Sequence, residues 1–383
     1  MSFDESLLDD EEALAVRDDG GLLWALAGSG AQVRRAVDVS DEFEVARLRP
    51  AAGPRALLVA ADNPAVGAGR LLVRLGRPET PTLLWHGVEL PRWAGPADAL
   101  LVASSDGRHP RLARVVEQAG HRGLAVAVAA PQDSPVAEAA GRAPVAHVPI
   151  DLNRRAVMWA VLTPLLQAVD ALEVATVPAG LLAQVADAMD TTAEACRPSA
   201  DAFTNPAKAL AVEFSESLPL IAGAGQLAGV AARLFADQLQ LMAGVSAVSV
   251  SLPDGVAPAG ALLVGEPQDS FDDEFFRDRV DEQQPTRPRL VTIGDDGDPD
   301  DESLGERSGV HIQLDEVAAR RAAEALHLIA TQRGLRSSTV DVPPGPPLAR
   351  FAAATLFGSF TATYLALGRG IDPSEPRPGE LAH

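Results

Sequence analysis

Two short stretches of this chain set glycine and hydroxyl side chains immediately before a helical pattern, an arrangement suited to holding oxyanions. Leu-Ala-Gly-Ser-Gly at 26–30 closes an apolar run, so amides at the following helix start and the Ser29 hydroxyl can bind an anion. Val-Ala-Ser-Ser-Asp-Gly-Arg-His-Pro at 102–110 repeats the layout, placing Ser104, Ser105, Gly107, Arg108 and His109 ahead of a second helix. Gly-Ser-Gly after a strand is also ordinary turn chemistry. Two such junctions together point to one crevice at the carboxyl ends of parallel strands, where open α/β sheets take ligands.

Other reactive side chains are few. Cys196 is the only cysteine, which removes intrachain disulfides, cysteine-rich zinc sites and Cys-x-x-Cys redox pairs. Lys208 is the only lysine and hence the one Schiff-base candidate. His86, His121 and His327 stand singly in apolar or helical settings and read as structural. There is no Gly-x-Ser-x-Gly elbow, no Gly-x-Gly-x-x-Gly opening a βαβ unit and no Gly-Lys-Ser/Thr phosphate loop. Residues 266–306 are acidic, and their prolines and glycines fall out of register with a calcium loop, so they read as solvated loop.

Parallel β-α-β units are the elements expected to position the two junctions. Short Val/Leu/Ala runs at 22–27, 56–61, 82–86, 99–103 and 124–129 read as strands, continuous enough in apolar character to be covered on both faces. Leu112, Val115, Val116 and Ala119 recur at helical spacing. Residues 153–195 read as long helix broken at Pro164 and Pro178. A second alternation follows, with strands at 218–222, 245–252 and 289–293 and a helix at 227–241.

At 383 residues the chain has room for two domains, and 53 acidic against 32 basic side chains leave a net charge of −21 that repels nucleic acid and anionic lipid. Apolar residues at 47% and charged ones at 22% exclude general disorder. The acidic N-terminus is the opposite of an export signal, and the apolar stretches 156–177 and 348–367 read as buried helices, so a cytoplasmic location is expected with no membrane partner.

Several motifs, in order along the chain, resemble the sugar isomerase (SIS) fold of the bifunctional phosphoglucose/phosphomannose isomerases. Ala-Leu-Ala-Gly-Ser at 25–29 resembles the family's Gly-Met-Gly-Gly-Ser turn, and Leu-Pro-Arg-Trp at 90–93 resembles its Leu-Pro-x-Trp. Residues 148–156 resemble its Pro-x-Gly-x-Gln-Pro-Arg-Ala segment. Asn205-Pro206-Ala207-Lys208 matches its Asn-Pro-Ala-Lys, and Tyr364-Leu365-Ala366-Leu367 with Gly370-Ile371-Asp372-Pro373 resembles its closing motifs. The resemblance implies two tandem SIS-like three-layer α/β/α sandwiches with parallel sheets: a first domain over 1–152, bridging helices over 153–204, and a second domain over 205–383 carrying the acidic loop, a C-terminal helix and a tail. It implies a homodimer as well, with the apolar helix at 351–367 offering a face to the partner.

The same resemblance places the chemistry. Its phosphate loop falls on residues 104–109, where Ser104 and Gly107 survive, Asp106 opposes an anion and Arg108 can pair with one. Its catalytic base falls on Gln240, an amide that cannot shuttle a proton near neutral pH, with Asp237 one helical turn away. Its enediolate-steadying arginine is Arg155, its C-terminal lysine falls on His383, and the neighbouring hydroxyl is Ser374. The reading is a sugar-phosphate-binding protein, without cofactor or metal, whose isomerase motifs are degraded; Ser29, Ser104, Gly107, Arg108 and Arg155 are the expected ligand contacts. Two alternatives remain: an active isomerase using Asp237 or Glu216 as base and His383 for ring opening, and a non-catalytic interaction protein with a filled crevice.

Overall fold

The computed structural model describes residues 3–38, 44–48, 53–149, 152–265, 287–294 and 311–376. His383 and most of the acidic 266–306 stretch lie outside the described residues. Three helices, α1 (Glu11–Arg17), α2 (Leu22–Ala27) and α3 (Ser29–Asp38), precede the first sheet. That sheet comprises β1 (Leu57–Ala61), β2 (Thr82–Leu84), β3 (Ala99–Ala103), β4 (Ala125–Ala130) and β5 (Val145–His147), all parallel in the order β2-β1-β3-β4-β5. Its connections carry α4 (Val66–Leu75), α5 (Pro110–Arg122) and α6 (Pro135–Ala139). Then come α7 (Met158–Ala171), α8 (Leu181–Ala195) and α9 (Pro206–Ser215).

The second sheet holds β6 (Leu218–Ala224), β7 (Val248–Leu252), β8 (Pro288–Gly294) and β9 (Ser337–Thr339), again parallel, in the order β7-β6-β8-β9. Helices α10 (Gln226–Ala243), α11 (Val256–Val264), α12 (His311–Gln332) and α13 (Pro347–Gly368) complete it. The fold is thus two parallel α/β/α sandwiches, as the resemblance implies.

Alternate residues of β1, β3 and β4 feed different cores, which is why those strand sequences are apolar throughout. Leu58, Ala60, Leu100 and Val102 pack with Leu112, Val115 and Val116 of α5 on the outer face of the first sheet. Leu57, Val59, Leu101 and Ala103 face inward, into a core that also takes Ile221 and Val291 of the second sheet. Leu220 and Leu290 close the opposite side with α11 and α12. One apolar core therefore lies between the sheets, with α4, α7, α10 and α13 contributing to it.

Four expectations change. Residues 22–27 form α2 rather than a strand. Both carboxylate oxygens of Asp18 accept amides of the first turn, from Leu22 at 2.9 Å and Leu23 at 2.8 Å, and six Leu/Ala/Trp residues satisfy a helix stripe as readily as a short buried strand. Pro164 sits inside α7 without breaking it; buried neighbours hold the helix together and the interruption comes later, at 172–180. Helix α13 offers no face to a partner subunit. It is long and apolar enough to cross a membrane, yet it is buried throughout within its own chain, against α8, α9 and α10. Finally, β5 and β9 extend the sheets where no strand is expected from the sequence; both are three-residue edge strands.

The Asn-Pro-Ala-Lys segment is a latch. Asn205 caps α9 by accepting the amides of Ala207 and Lys208. Lys208, 1% exposed, donates to the carbonyls of Leu8 (2.5 Å), Pro198 (2.6 Å) and Ala200 (2.7 Å), with its ammonium 5.5 Å from the Tyr364 ring centroid. Tyr364 in turn donates to the Cys196 carbonyl at 2.6 Å. Replacing the ammonium by an isosteric apolar chain leaves three carbonyls without their donor. Lys208→Met is expected to cost roughly 2–5 kcal/mol of stability, read as a shift of the denaturant midpoint at unchanged slope.

Candidate functional site

The carboxyl end of the first sheet is built by strand register. Ala61 of β1 lies opposite Ala103 of β3, so the residues that follow, Asp62 and Ser104, leave the sheet side by side. The Asp62 amide donates to the Ala103 carbonyl at 3.1 Å, and that of Ser104 to Ala129 at 2.9 Å. Asp62 is 5% exposed. One of its carboxylate oxygens accepts the Ser104 hydroxyl at 2.8 Å, the Ser105 amide at 2.6 Å and the Ser105 hydroxyl at 3.1 Å; the other accepts the Ala65 amide at 3.1 Å.

The turn is closed by Ser104 Oγ, which accepts the Gly107 amide at 3.1 Å. Gly107 has φ +67°, and a Cβ there would lie 2.1 Å from Ser134 Oγ, so only glycine fits. Burial raises the Asp62 carboxyl above its ordinary range, against the pull of the Ser104, Ser105 and Ala65 donors. Arg111, half-buried, donates to the carbonyls of Ala61 (2.6 Å) and Trp85 (3.1 Å); burial lowers its pKa while the charge of Asp62 raises it. Asp106 is exposed and accepts the Arg108 amide at 2.9 Å, and Arg108 is exposed beside it. His109 caps α5 through Nδ1, which accepts the Arg111 amide at 3.3 Å.

Ser29 lies elsewhere. It starts α3, which packs on α7 and α8, and is 2% exposed. A Cβ on Gly30 would lie 2.1 Å from Asp190 Oδ1 and 2.7 Å from the Ala186 carbonyl, so this glycine serves helix-to-helix approach. Arg34 then binds Asp187 and Asp190, each at 2.7 Å. The counterpart of the Ser29 turn at the sheet is therefore 62–65, after β1. Sequence reading missed Asp62; the available signal was the strand ending at Ala61, followed by Asp-Asn-Pro.

The remaining expected residues lie away from this turn. Arg155 donates to the carbonyls of Pro373 and Glu375, both at 3.3 Å, and Asn153 bridges the Gly20 carbonyl (3.0 Å) and the Ser374 hydroxyl (2.9 Å). Arg155 and Ser374 thus meet where the tail folds back. Gln240 is exposed on α10 and donates to the Ala247 carbonyl at 3.0 Å. Asp237 pairs with Arg70 of α4 and, at 3.0 Å, with Arg233. Glu216 is exposed at the amino ends of β6 and β8, beside a cavity of about 210 Å³ that Glu213, Arg287, Arg289 and Arg336 also line. That is the end of the sheet opposite to the one where such folds bind ligands. Among the described residues no group of three His, Cys, Asp or Glu converges as metal ligands would.

His327 of α12 reaches the second sheet, its Nε2 sharing a 2.9 Å hydrogen bond with Thr292 Oγ1. Burial, then the nearby Arg289 charge, depresses its pKa below 6.5. Between that depressed value and 6.5 the unfolded chain binds the proton more readily, so His327 contributes stability above that window and loses it on acidification. His327→Gln is expected to flatten the loss of melting temperature below about pH 6.5, measured by thermal denaturation across pH.

Comparison with known proteins fits this geometry. Residues 203–378 match the bacterial phospho-glucose isomerase C-terminal SIS domain. No curated protein matches the chain by sequence. Among solved structures, a hypothetical protein from Thermus thermophilus aligns with TM-score 0.65 at 14% identity, over 98% of this chain and 92% of its own. A candidate phosphosugar isomerase from Silicibacter pomeroyi aligns with TM-score 0.58 at 17% identity, over 92% and 98%. Tagatose-6-phosphate ketose/aldose isomerase from Escherichia coli aligns with TM-score 0.57 at 12% identity, over 93% and 94%. At these identities the likeness is one of fold.

Proposed function

We propose that this protein, whose residues 203–378 match the bacterial phospho-glucose isomerase C-terminal SIS domain, is a catalytically silent member of a phosphosugar isomerase-like family that acts by binding. The observation that carries this reading is Gln240. The position that the resemblance assigns to the proton-transferring base holds an amide, exposed and bonded to the Ala247 carbonyl. Moving a proton between adjacent sugar carbons needs a group that gains and loses one near neutral pH, and its loss typically removes about 10²–10⁴-fold of rate. Asp237, the nearest carboxylate on the helix, is held by Arg70 and Arg233, so taking up a proton there means giving up two ion pairs.

Binding by an interaction surface is favoured over retained sugar-phosphate binding at the Ser104 turn, because Asp62 fills that turn with negative charge. A second copy of the chain in the cytoplasm is the partner proposed, since the resemblance implies a homodimer, and Trp24 and Phe203, 84% and 97% exposed, are the large apolar side chains available for burial against it. Two measurements test the reading. Protein purified free of host isomerase should give no conversion of fructose 6-phosphate to glucose 6-phosphate or mannose 6-phosphate above background in a coupled assay; robust turnover would overturn silence. Light scattering at micromolar concentration should give twice the monomer mass, and Trp24→Ser with Phe203→Ser should lower it; a monomer at every concentration would remove the homodimer.

A further inference from the structure

Strand pairing brings like charges together at the amino ends of the second sheet. Leu290 of β8 lies opposite Ser337 of β9, so one step earlier Arg289 and Arg336 stand side by side and share a face. Arg287, just before β8 and two residues ahead of Arg289, returns to that face by the strand period. All three line the cavity of about 210 Å³, together with Glu213, Glu216 and Ser217 at the end of α9. Like charges directly opposite one another destabilise a sheet, so this face calls for an anion.

Glu213 supplies only part of it. Its carboxylate binds the buried Arg289 at 2.6 Å and lies 3.7 Å from Arg336, whose side chain is 76% exposed. Arg289 is fully committed, because its other nitrogens donate to the Leu290 carbonyl and to Ser338 Oγ. Among the described residues the Arg287 guanidinium has no hydrogen-bond or ion-pair partner. Three guanidiniums against the carboxylates of Glu213 and Glu216 leave the cavity a surplus of positive charge, in a chain whose net charge is −21.

We propose that this cavity binds a small oxyanion of the phosphate class between the guanidiniums of Arg287 and Arg336, at the end of the second sheet remote from the crevice where such folds take their ligands. A guanidinium fork meets phosphate oxygens in paired hydrogen bonds, so two forks fix both the position and the orientation of the anion. Arg289 adds positive charge from behind, and Glu213 holds Arg336 near the mouth without saturating its donors. Glu216, exposed beside the cavity, repels the anion and limits its affinity. Free phosphate and a phosphomonoester share this chemistry.

The test titrates the full chain by calorimetry with inorganic phosphate and with glycerol 3-phosphate, against chloride at equal ionic strength. Three variants accompany it: Arg287→Gln combined with Arg336→Gln, Glu216→Gln, and Arg108→Gln as the control for binding at the Ser104 turn. Every substituted side chain is exposed, so the fold is retained, and circular dichroism checks that. The parent should bind at a single saturable site, and the double variant at least roughly tenfold more weakly. Glu216→Gln should bind more tightly, and Arg108→Gln as the parent does. Tighter binding of the monoester identifies an esterified ligand, and tighter binding of phosphate the free ion. The proposal is overturned if neither anion saturates the parent, if the double variant binds equally well, if Glu216→Gln binds more weakly, or if Arg108→Gln loses as much as the double variant. Isomerase turnover by the parent would sink the silent reading and leave this comparison of variants intact.

Discussion

A single buried ammonium ties the distant parts of this chain together. Lys208 is solvated by three backbone carbonyls, from the N-terminal turn at Leu8 and from Pro198 and Ala200 in the loop that follows α8, with the charges of Asp9, Asp201 and Glu11 acting from further off. Taking a charge out of water is costly, and only the closure of the N-terminal turn and the loop after α8 around it returns the lost hydration. The segments are therefore interdependent. Tyr364 joins α13 to the same knot through the Cys196 carbonyl, so the positions of the N-terminal helices, α8, α9 and the central helix are fixed by one cluster of donors and acceptors. The resemblance supplies the residues of this motif; the structure supplies their work, which is architectural.

The two sheets differ from this knot in how they are held. The strands β1, β3 and β4 are continuous apolar runs, and each alternates its side chains between a private outer core and the shared inner one. Burial at both faces holds β1 and β3 along their length, and it leaves the polar groups at their carboxyl ends as the place where chemistry is decided. There the register of Ala61 with Ala103 dictates that Asp62 and Ser104 meet. A carboxylate beside two hydroxyls is thus a consequence of sheet geometry combined with a single residue choice.

Much of the fold was legible because its signal is local. The runs ending at Ala61, Ala103 and Ile293 are short, mostly apolar and bounded by turn residues, as covered strands are, and Leu112, Val115 and Val116 mark a helix by spacing alone. Residues 22–27 were ambiguous because six residues do not contain enough turns to separate the two periods, and the deciding contact, Asp18 with the amides of Leu22 and Leu23, is a cap lying outside the apolar run. The candidate site was harder for a different reason. Ser104 and Gly107 were visible as a turn, but Asp62 belongs to another segment, and only strand pairing brings it there. Asp237 shows the same limit: its helix could be read, its pairing with Arg70 from the other half could not.

Helix α13 carries a consequence for biosynthesis. It is enclosed on all sides and supplies the centre of the inner core, yet it lies in the last tenth or so of the sequence. The earlier segments that surround it, including α8 from the first half of the chain and α9 and α10 from the second, emerge from the ribosome facing a vacancy where this helix will go. At about 5–20 residues per second that vacancy persists for many seconds. Folding of the inner layer consequently waits for α13, and until it arrives the nascent chain leaves the faces of α8, α9 and α10 that receive it uncovered, a period in which chaperone protection matters more than final stability.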